Sequence, residues 1–586
     1  MATSSVALVL AAILASLCLV VALSEDGSCR HPTAELENLR FVRRAQDAPL
    51  VSRYNYIVIG GGTSGCPLAA TLSEHSRVLL LERGGLPYRN MSNQQHFTDA
   101  LADTSPASPA QRFISEDGVV NARARVLGGG SCLNAGFYTR ASNDYVRAAG
   151  WDARLVNSSY RWVERALVFR PGVPPWQVAL RDALLEAGVT PDNGFTFDHV
   201  TGTKIGGTIF DSSGQRHTAA DFLRHARPGG LTVLLYATVS RILFRQQEGA
   251  PYPVAYGVVF ADPLGVQHRV YLQDGGRNEV ILAAGTLGSP QLLMLSGVGP
   301  QAHLEAHGIQ VLVDQPMVGQ GVADNPMNSV FIPSPVPVAL SLVQVVGITR
   351  SGSFIEGVSG SEFGIPVSDG ARRLARSFGL FSPQTGQLGT LPPKQRTPEA
   401  LQRAAEAMRR LDRRAFRGGF ILEKILGPVS SGHIELRSAD PRANPAVTFN
   451  YFQEEEDLDR CVHGIETIER VIQSQAFANF TYANASVESI FTDSANFPVN
   501  LLPRHANDSR TPEQYCKDTV MTIWHYHGGC QVGAVVDDDY RVFGVQRLRV
   551  IDSSTFKYSP GTNPQATVMM LGRYMGVKIQ AERWRK

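Results

Sequence analysis

The sequence predicts an α/β fold, a Rossmann-like dinucleotide-binding domain joined to an α+β domain of mainly antiparallel sheet plus helices. Three observations lead to it. The apolar run Ile57-Val58-Ile59 enters Gly60-Gly61-Gly62-Thr63-Ser64-Gly65, a G-x-G-x-x-G turn, and continues into the helix-compatible Pro67-Leu68-Ala69-Ala70-Thr71-Leu72. A second apolar run, Val78-Leu79-Leu80-Leu81, closes on Glu82, at the spacing where an acid meets a ribose hydroxyl pair. Two more apolar segments, 279–285 and 548–552, lie far along the chain. The nucleotide domain is therefore assembled from distant pieces, with the second domain inserted between them.

Each element has a local reason. Gly60 permits the tight turn, Gly62 allows backbone to approach a pyrophosphate, and Gly65 lets helix pack on strand. The phosphates then meet the positive end of the helix. Residues 231–242 read as a further strand and its exit. Residues 331–390, rich in Pro, Ser and Gly without a sustained period, read as long loops over a surface or cleft. Thr397-Pro398-Glu399 supplies a cap, a proline and an acid for a basic helix running to about Arg414. Segments 433–437 and 447–451 alternate like half-buried strands. Leu458, Cys461, Ile465, Ile468 and Ile472 recur at helical spacing behind four acids, 454–457. The turn Ser559-Pro560-Gly561-Thr562-Asn563-Pro564 precedes a last helix that begins near Gln565 and runs to Gln580.

At 586 residues, 43% hydrophobic and 18% charged, the chain can bury two sizeable cores. A net charge of +2 gives no case for nucleic acid. The apolar run 6–22, followed by Ala22-Leu23-Ser24, reads as a signal peptide over residues 1–24, although its start lacks Lys or Arg. No later run reaches spanning length, so no stable membrane span is expected after cleavage. The expected route is secretory, ending outside the cell, in the wall, or in the ER lumen. Sequons at Asn90, Asn157, Asn479, Asn484 and Asn507 suit that route as glycosylation sites. Of seven cysteines, Cys18 leaves with the signal peptide, and Cys66, Cys132 and Cys530 read as packed thiols in glycine-rich loops. Cys461 and Cys516 are the expected disulfide, and Cys29 has no clear partner. His525 and His527 could lie on one strand face as metal ligands, but no third ligand is identifiable, so no metal is expected.

A second glycine loop, Arg125-Val126-Leu127-Gly128-Gly129-Gly130-Ser131-Cys132-Leu133-Asn134, offers exposed backbone amides, with Ser131 and Asn134 adding polar contacts. Downstream stands Gly285-Thr286-Leu287-Gly288-Ser289-Pro290-Gln291-Leu292-Leu293-Met294-Leu295-Ser296-Gly297-Val298-Gly299. With these two segments the sequence resembles the glucose–methanol–choline (GMC) flavin oxidoreductases, and Gly427-Pro428 through Pro441 and Asn450-Tyr451 look like that family's substrate-domain strand motif. The resemblance covers the mature chain almost end to end. It implies FAD, a FAD-binding domain at 51–155, 215–320 and 520–586, and a substrate domain at 156–214 and 321–519.

It also implies a site. His525, in Trp524-His525-Tyr526-His527-Gly528-Gly529-Cys530, takes the place of the family's catalytic histidine, and Asn563 that of its partner. A histidine suits the task because its ordinary pKa lies near working pH, while an amide can hold the alcohol oxygen. Asn563 is also placed to cap the last helix. Glu82 and Val239 are implied at the adenine end, and Gly62, Thr63, Ser64 and the loop Gly129, Gly130, Ser131, Asn134 at the pyrophosphate. Asp552 and Asn563 are implied near the ribityl chain and ring, with Gly60, Gly65, Arg83, Val126, Ala135, Trp524 and Gln565 completing the contacts. His527 reads as a packed neighbour. Asn563 and the strings Val318-Gly319-Gln320-Gly321 and Asp324-Asn325-Pro326 look like the plant HOTHEAD-type branch, which implies a lipid-like alcohol, a long-chain ω-hydroxy fatty acid or fatty alcohol, for cutin or pollen-wall barriers. Two alternatives stay open. One is a hydroxynitrile lyase of mandelonitrile-lyase type that uses FAD structurally, and the other is a non-catalytic secreted FAD-binding protein.

Overall fold

Six short strands pair side by side, all parallel, in the spatial order Val42–Arg44, Leu231–Leu235, Val78–Glu82, Tyr56–Ile59, Glu279–Leu282, Leu548–Val550. The computed structural model describes residues 39–87, 107–360, 418–495 and 511–584. The expected signal peptide with Cys18, Cys29, the sequons at Asn90 and Asn507, and the helix from Thr397 lie outside the described residues.

The central strands are buried on both faces, which is why they read as continuous apolar runs. Tyr56, Val58, Val78 and Leu80 pack into one core with the helices Gly65–Leu72 and Gln565–Trp584. Ile57, Ile59, Leu79 and Leu81 face a second core shared with a four-stranded sheet. That sheet begins with Thr238–Arg245, so the predicted strand at 231–242 is in fact two strands, parted after Leu235. The strand Val42–Arg44 joins upstream of any segment recognised from sequence.

A second sheet has seven strands in the order Met521–Thr522, Pro326–Pro333, Gly418–Ile425, Ser353–Gly360, Val345–Ile348, Gly202–Ile205, Asp192–Phe195. It is antiparallel except for its last pair. The helices Pro175–Glu186 and Glu455–Gln473 cover one face, and Phe331, Val346, Val358, Phe420 and Leu422 line the other. This corrects the reading of 331–390 as loops at 331–333, 345–348 and 353–360, while 334–344 carries no strand. The glycines that suggested loops are there for packing. A Cβ on Gly347 would lie 2.8 Å from Leu184, and one on Gly357 would lie 2.5 Å from Leu180. The predicted strand at 447–451 is also shorter, Ala446–Thr448, because Asn450 and Phe452 adopt φ of 58° and 56°.

Cys461 and Cys516 form a disulfide that ties the helix Glu455–Gln473 to the helix Pro512–Asp518. Cys66, Cys132 and Cys530 are free and buried. Asn157, Asn479 and Asn484 are exposed. Among the described residues no helix is long and apolar enough to cross a membrane.

Candidate active site

The two glycine loops meet beyond the carboxyl ends of the parallel strands. Gly60 has φ +104°, and a Cβ there would lie 2.4 Å from the Ala283 carbonyl oxygen. On Gly65 a Cβ would lie 1.9 Å from the Gly60 oxygen, so only glycine lets this helix start so close to its strand. Gly128 N donates to Gly61 O at 2.7 Å. Gly129 stands against Gly62, and a Cβ on it would fall 2.7 Å from Gly62 Cα. Bare backbone from both loops thus forms one wall of a long cavity.

Sixteen of the residues implied for the cofactor line that cavity: Gly60, Gly62, Thr63, Ser64, Glu82, Arg83, Val126, Gly129, Gly130, Asn134, Ala135, Val239, Trp524, Asp552, Asn563 and Gln565. Gly65 and Ser131 stand behind the wall. Ser131 corrects the expectation of a ligand contact: it is fully buried, donates to Gly128 O at 2.7 Å and accepts from Ala219 N at 2.9 Å, so it braces the loop. Glu82 is buried and already accepts from Gly61 N at 2.9 Å and Gly84 N at 2.7 Å. Burial pushes its carboxyl above the usual range. Arg83 donates to Gln111 Oε1 at 2.6 Å and Ala124 O at 2.9 Å, and burial lowers its pKa to about 10. Asp552 accepts from Gly285 N at 2.9 Å, Ser289 Oγ at 2.6 Å and Ser554 N at 2.8 Å. Asn134 and Gln565 join side chain to side chain at 2.8 Å.

Further along, Trp524 takes φ +61°, an uncommon conformation for a bulky residue, and the next residue, His525, lines the cavity. Asp324 fixes this corner. Its Oδ1 accepts from His525 N at 2.8 Å, and its Oδ2 accepts from Thr522 Oγ1 and Tyr451 Oη, both at 2.6 Å. Burial raises Asp324 to about 7 against the opposing pull of those donors. The His525 ring has Nδ1 buried without a partner among the described residues. Burial first, then the positive charge of Lys424, holds its pKa well below the ordinary value, so the imidazole is neutral. His527 is packed away from the cavity, its Nδ1 3.0 Å from His525 O and its pKa lowered to about 4 by burial. No group of residues suited to a metal ion occurs among the described residues.

Asn563 faces the same cavity. It is not the helix cap expected from sequence: the helix begins at Gln565, Val568 N bonds to Pro564 O, and Asn563 Oδ1 has no partner among the described residues. The amide is therefore available to a ligand. Three features escaped sequence reasoning. Asp324 sat in a quoted string without a role. Tyr526, which donates to Asn121 Oδ1 at 2.5 Å, sat in the histidine motif. The buried ion pair of Lys424 with Glu356 also lines the cavity, and its only signal was two adjacent charges inside the apolar strand Ile421-Leu422-Glu423-Lys424-Ile425.

A dinucleotide carrying a ring system fits these residues. Bare glycine backbone permits the close approach that a pyrophosphate needs, and buried polar atoms without partners among the described residues (His525 Nδ1, Asn563 Oδ1 and Trp524 Nε1) belong to residues of the same cavity.

Comparison with known proteins agrees. Residues 54–327 and 428–572 match the models described as GMC oxidoreductase. The chain is 52% identical over 535 residues to Protein HOTHEAD of Arabidopsis thaliana, covering 91% of this chain and 89% of that protein. It is 48% identical over 555 residues to an (R)-mandelonitrile lyase-like protein of the same plant, covering 93% of each. The formate oxidase of Aspergillus oryzae superposes with a TM-score of 0.70 at 18% identity, covering 91% of this chain and 99% of that one, a likeness of fold.

Proposed function

The chain belongs to the GMC oxidoreductase family, with FAD as its cofactor, and on that premise we propose that it oxidises a primary alcohol with His525 as the base. The observation that carries this reading is that a buried imidazole with Nδ1 unpartnered and an amide with Oδ1 unpartnered among the described residues line one cavity. FAD, when bound, supplies the acceptor for the hydride of the carbinol carbon.

His525 accepts the hydroxyl proton, which a neutral imidazole can do and a charged one cannot. Asn563 donates an amide N–H to the same oxygen and orients the carbon–hydrogen bond. Asp324 acts on neither atom; it anchors the backbone of His525. Phe137, Val343, Val358 and Leu422 give the cavity an apolar wall, which suits a lipid-like substrate such as a long-chain ω-hydroxy fatty acid or fatty alcohol. The resemblance to HOTHEAD supports that choice and a role in cuticle or pollen-wall lipids. Glu82, Arg83 and Val239 serve the adenosine end in this reading, and Gly62, Thr63, Ser64, Gly129 and Gly130 the pyrophosphate. Passage through the secretory pathway, with sugars on exposed Asn157, Asn479 and Asn484, belongs to the same proposal.

Replacing His525 with Ala should leave FAD bound and slow anaerobic flavin reduction by roughly 10²–10⁴; unchanged reduction would remove His525 from this role. The identity to a mandelonitrile lyase-like protein favours a second reading, cyanohydrin cleavage with His525 as acid–base. Anaerobic mixing separates the two. Bleaching by an alcohol marks oxidation, and cyanide release from mandelonitrile without bleaching marks the lyase.

A further inference from the structure

One charged pair in the cavity does not itself take the proton. Lys424 and Glu356 come from the neighbouring antiparallel strands Gly418–Ile425 and Ser353–Gly360. The register sets Glu356 opposite Leu422, so Lys424, two residues on, emerges from the same face as a diagonal neighbour. Lys424 Nζ donates to Glu356 Oε2, and their side chains are 1% and 0% exposed. Both line the cavity that His525 and Asn563 line. Val358 and Leu422 flank the pair, the ammonium lies 5.5 Å from the centre of the Phe354 ring, and the buried Lys204 and His525 lie within electrostatic reach of the pair.

The pair is not self-sufficient. Glu356 Oε1 is buried and accepts no hydrogen bond from any described residue, while an ammonium carries three donors, of which Oε2 takes one. A bare buried carboxylate oxygen calls for a donor. The partner that serves both groups is a neutral one that donates and accepts at once. A substrate carboxylate would be repelled by Glu356, an amine by Lys424, and an alkyl chain would leave both wanting. A hydroxyl meets both needs.

We propose that Lys424 and Glu356 form a specificity subsite for a second hydroxyl on the substrate, which donates to Glu356 Oε1 and accepts from Lys424 Nζ. The preferred substrate is then a diol, a primary alcohol carrying a second hydroxyl on an apolar body. This deepens the alcohol-oxidising reading and rests on it.

The test compares octan-1-ol with octane-1,2-diol and octane-1,3-diol on the holoenzyme, by anaerobic flavin reduction. One of the diols should exceed the mono-alcohol by roughly 10–100-fold in kcat/KM, mostly through KM, the range for hydrogen bonds to charged groups. Replacing both partners by apolar residues of similar size, Lys424→Met with Glu356→Leu, keeps the wall packed. It should abolish the preference, read as the ratio of diol to octan-1-ol kcat/KM within the variant, so that any change in the base common to both substrates cancels. Binding is read separately, by calorimetry on His525→Ala holoenzyme with and without the double replacement, where the diol should lose the same 10–100-fold in affinity. Equal kcat/KM for all three alcohols in the wild type, a preference that survives the double replacement, or equal binding with water alone serving Glu356 would each overturn the subsite. If no alcohol bleaches the flavin yet calorimetry still separates diol from mono-alcohol, the subsite stands and the oxidation reading falls.

Discussion

Asp324 governs the position of the base without touching the cavity reaction. Three donors converge on its two oxygens: His525 N, Thr522 Oγ1 and Tyr451 Oη. Asp324→Asn would turn an amide NH₂ toward at least one of them, leaving a buried donor facing a donor, at a cost of about 1–3 kcal/mol. The expected result is a lower melting temperature and slower flavin reduction with FAD affinity retained; unaltered reduction would show that His525 does not depend on this anchor. Protonation adds a second expectation. Burial holds His525 well below its ordinary 6.5, and His527 and His199 at about 4. Between about pH 6.5 and 4 the unfolded chain therefore binds more protons than the native one at these sites, so the stability they contribute is present above 6.5 and is lost as pH falls. Asp324, raised from 3.8 to about 7, works oppositely: its contribution is present below 3.8 and lost as pH rises through 7. For activity, His525 stays neutral in acid that would charge an exposed histidine. The acid limb of the flavin-reduction profile should lie below pH 6.5, and a limb at or above that value would contradict the buried neutral base.

Two glycines of one turn should answer differently to the same change. A Cβ on Gly65 would drive into the Gly60 carbonyl at 1.9 Å, whereas a Cβ on Gly62 would meet nothing closer than 3.9 Å and would face the cavity. Gly65→Ala should therefore disrupt the seating of the helix Gly65–Leu72 and lower thermal stability whether or not FAD is added. Gly62→Ala should leave the apoprotein fold intact, read by circular dichroism, and weaken FAD binding, read by loss of bound flavin; tight binding in that variant would count against backbone approach there. This turn was legible in sequence because strand, turn and helix each imposed a residue type at fixed spacing. The strands Val345–Ile348 and Ser353–Gly360 were not. Buried on both faces, they lack a period of two, and glycines that admit Leu184 and Leu180 look like loop residues when the helix Pro175–Glu186 is out of view. Asn563 shows the same limit at a site. Its motif gave the position, but whether its amide caps a helix or faces a cavity depended on where Gln565 turned.

At the scale of the whole molecule, the cavity is a joint product of segments that never meet in sequence. Its wall takes glycine loops from the parallel sheet, Val358, Leu422 and Lys424 from the antiparallel sheet, and His525 and Asn563 from the C-terminal part. The bounds between the FAD-binding domain and the substrate domain are a proposal, and this sharing makes the independence of the two domains testable. A ligand bound by both sheets stabilises them together by RT ln(1 + [L]/Kd), about 2.7 kcal/mol at a hundredfold excess over Kd. FAD-stripped protein should therefore melt at a lower temperature than holoprotein, with the two domains separating into distinguishable calorimetric transitions. Adding FAD should raise and merge them, and free FAD at ten times the concentration should add roughly another 1.4 kcal/mol. A melting temperature indifferent to FAD would mean that the cavity is not the cofactor's seat. A single transition in the stripped protein, moving as one body with added FAD, would retain the seat but refute that independence, since the sheets would then be held together by their own packing.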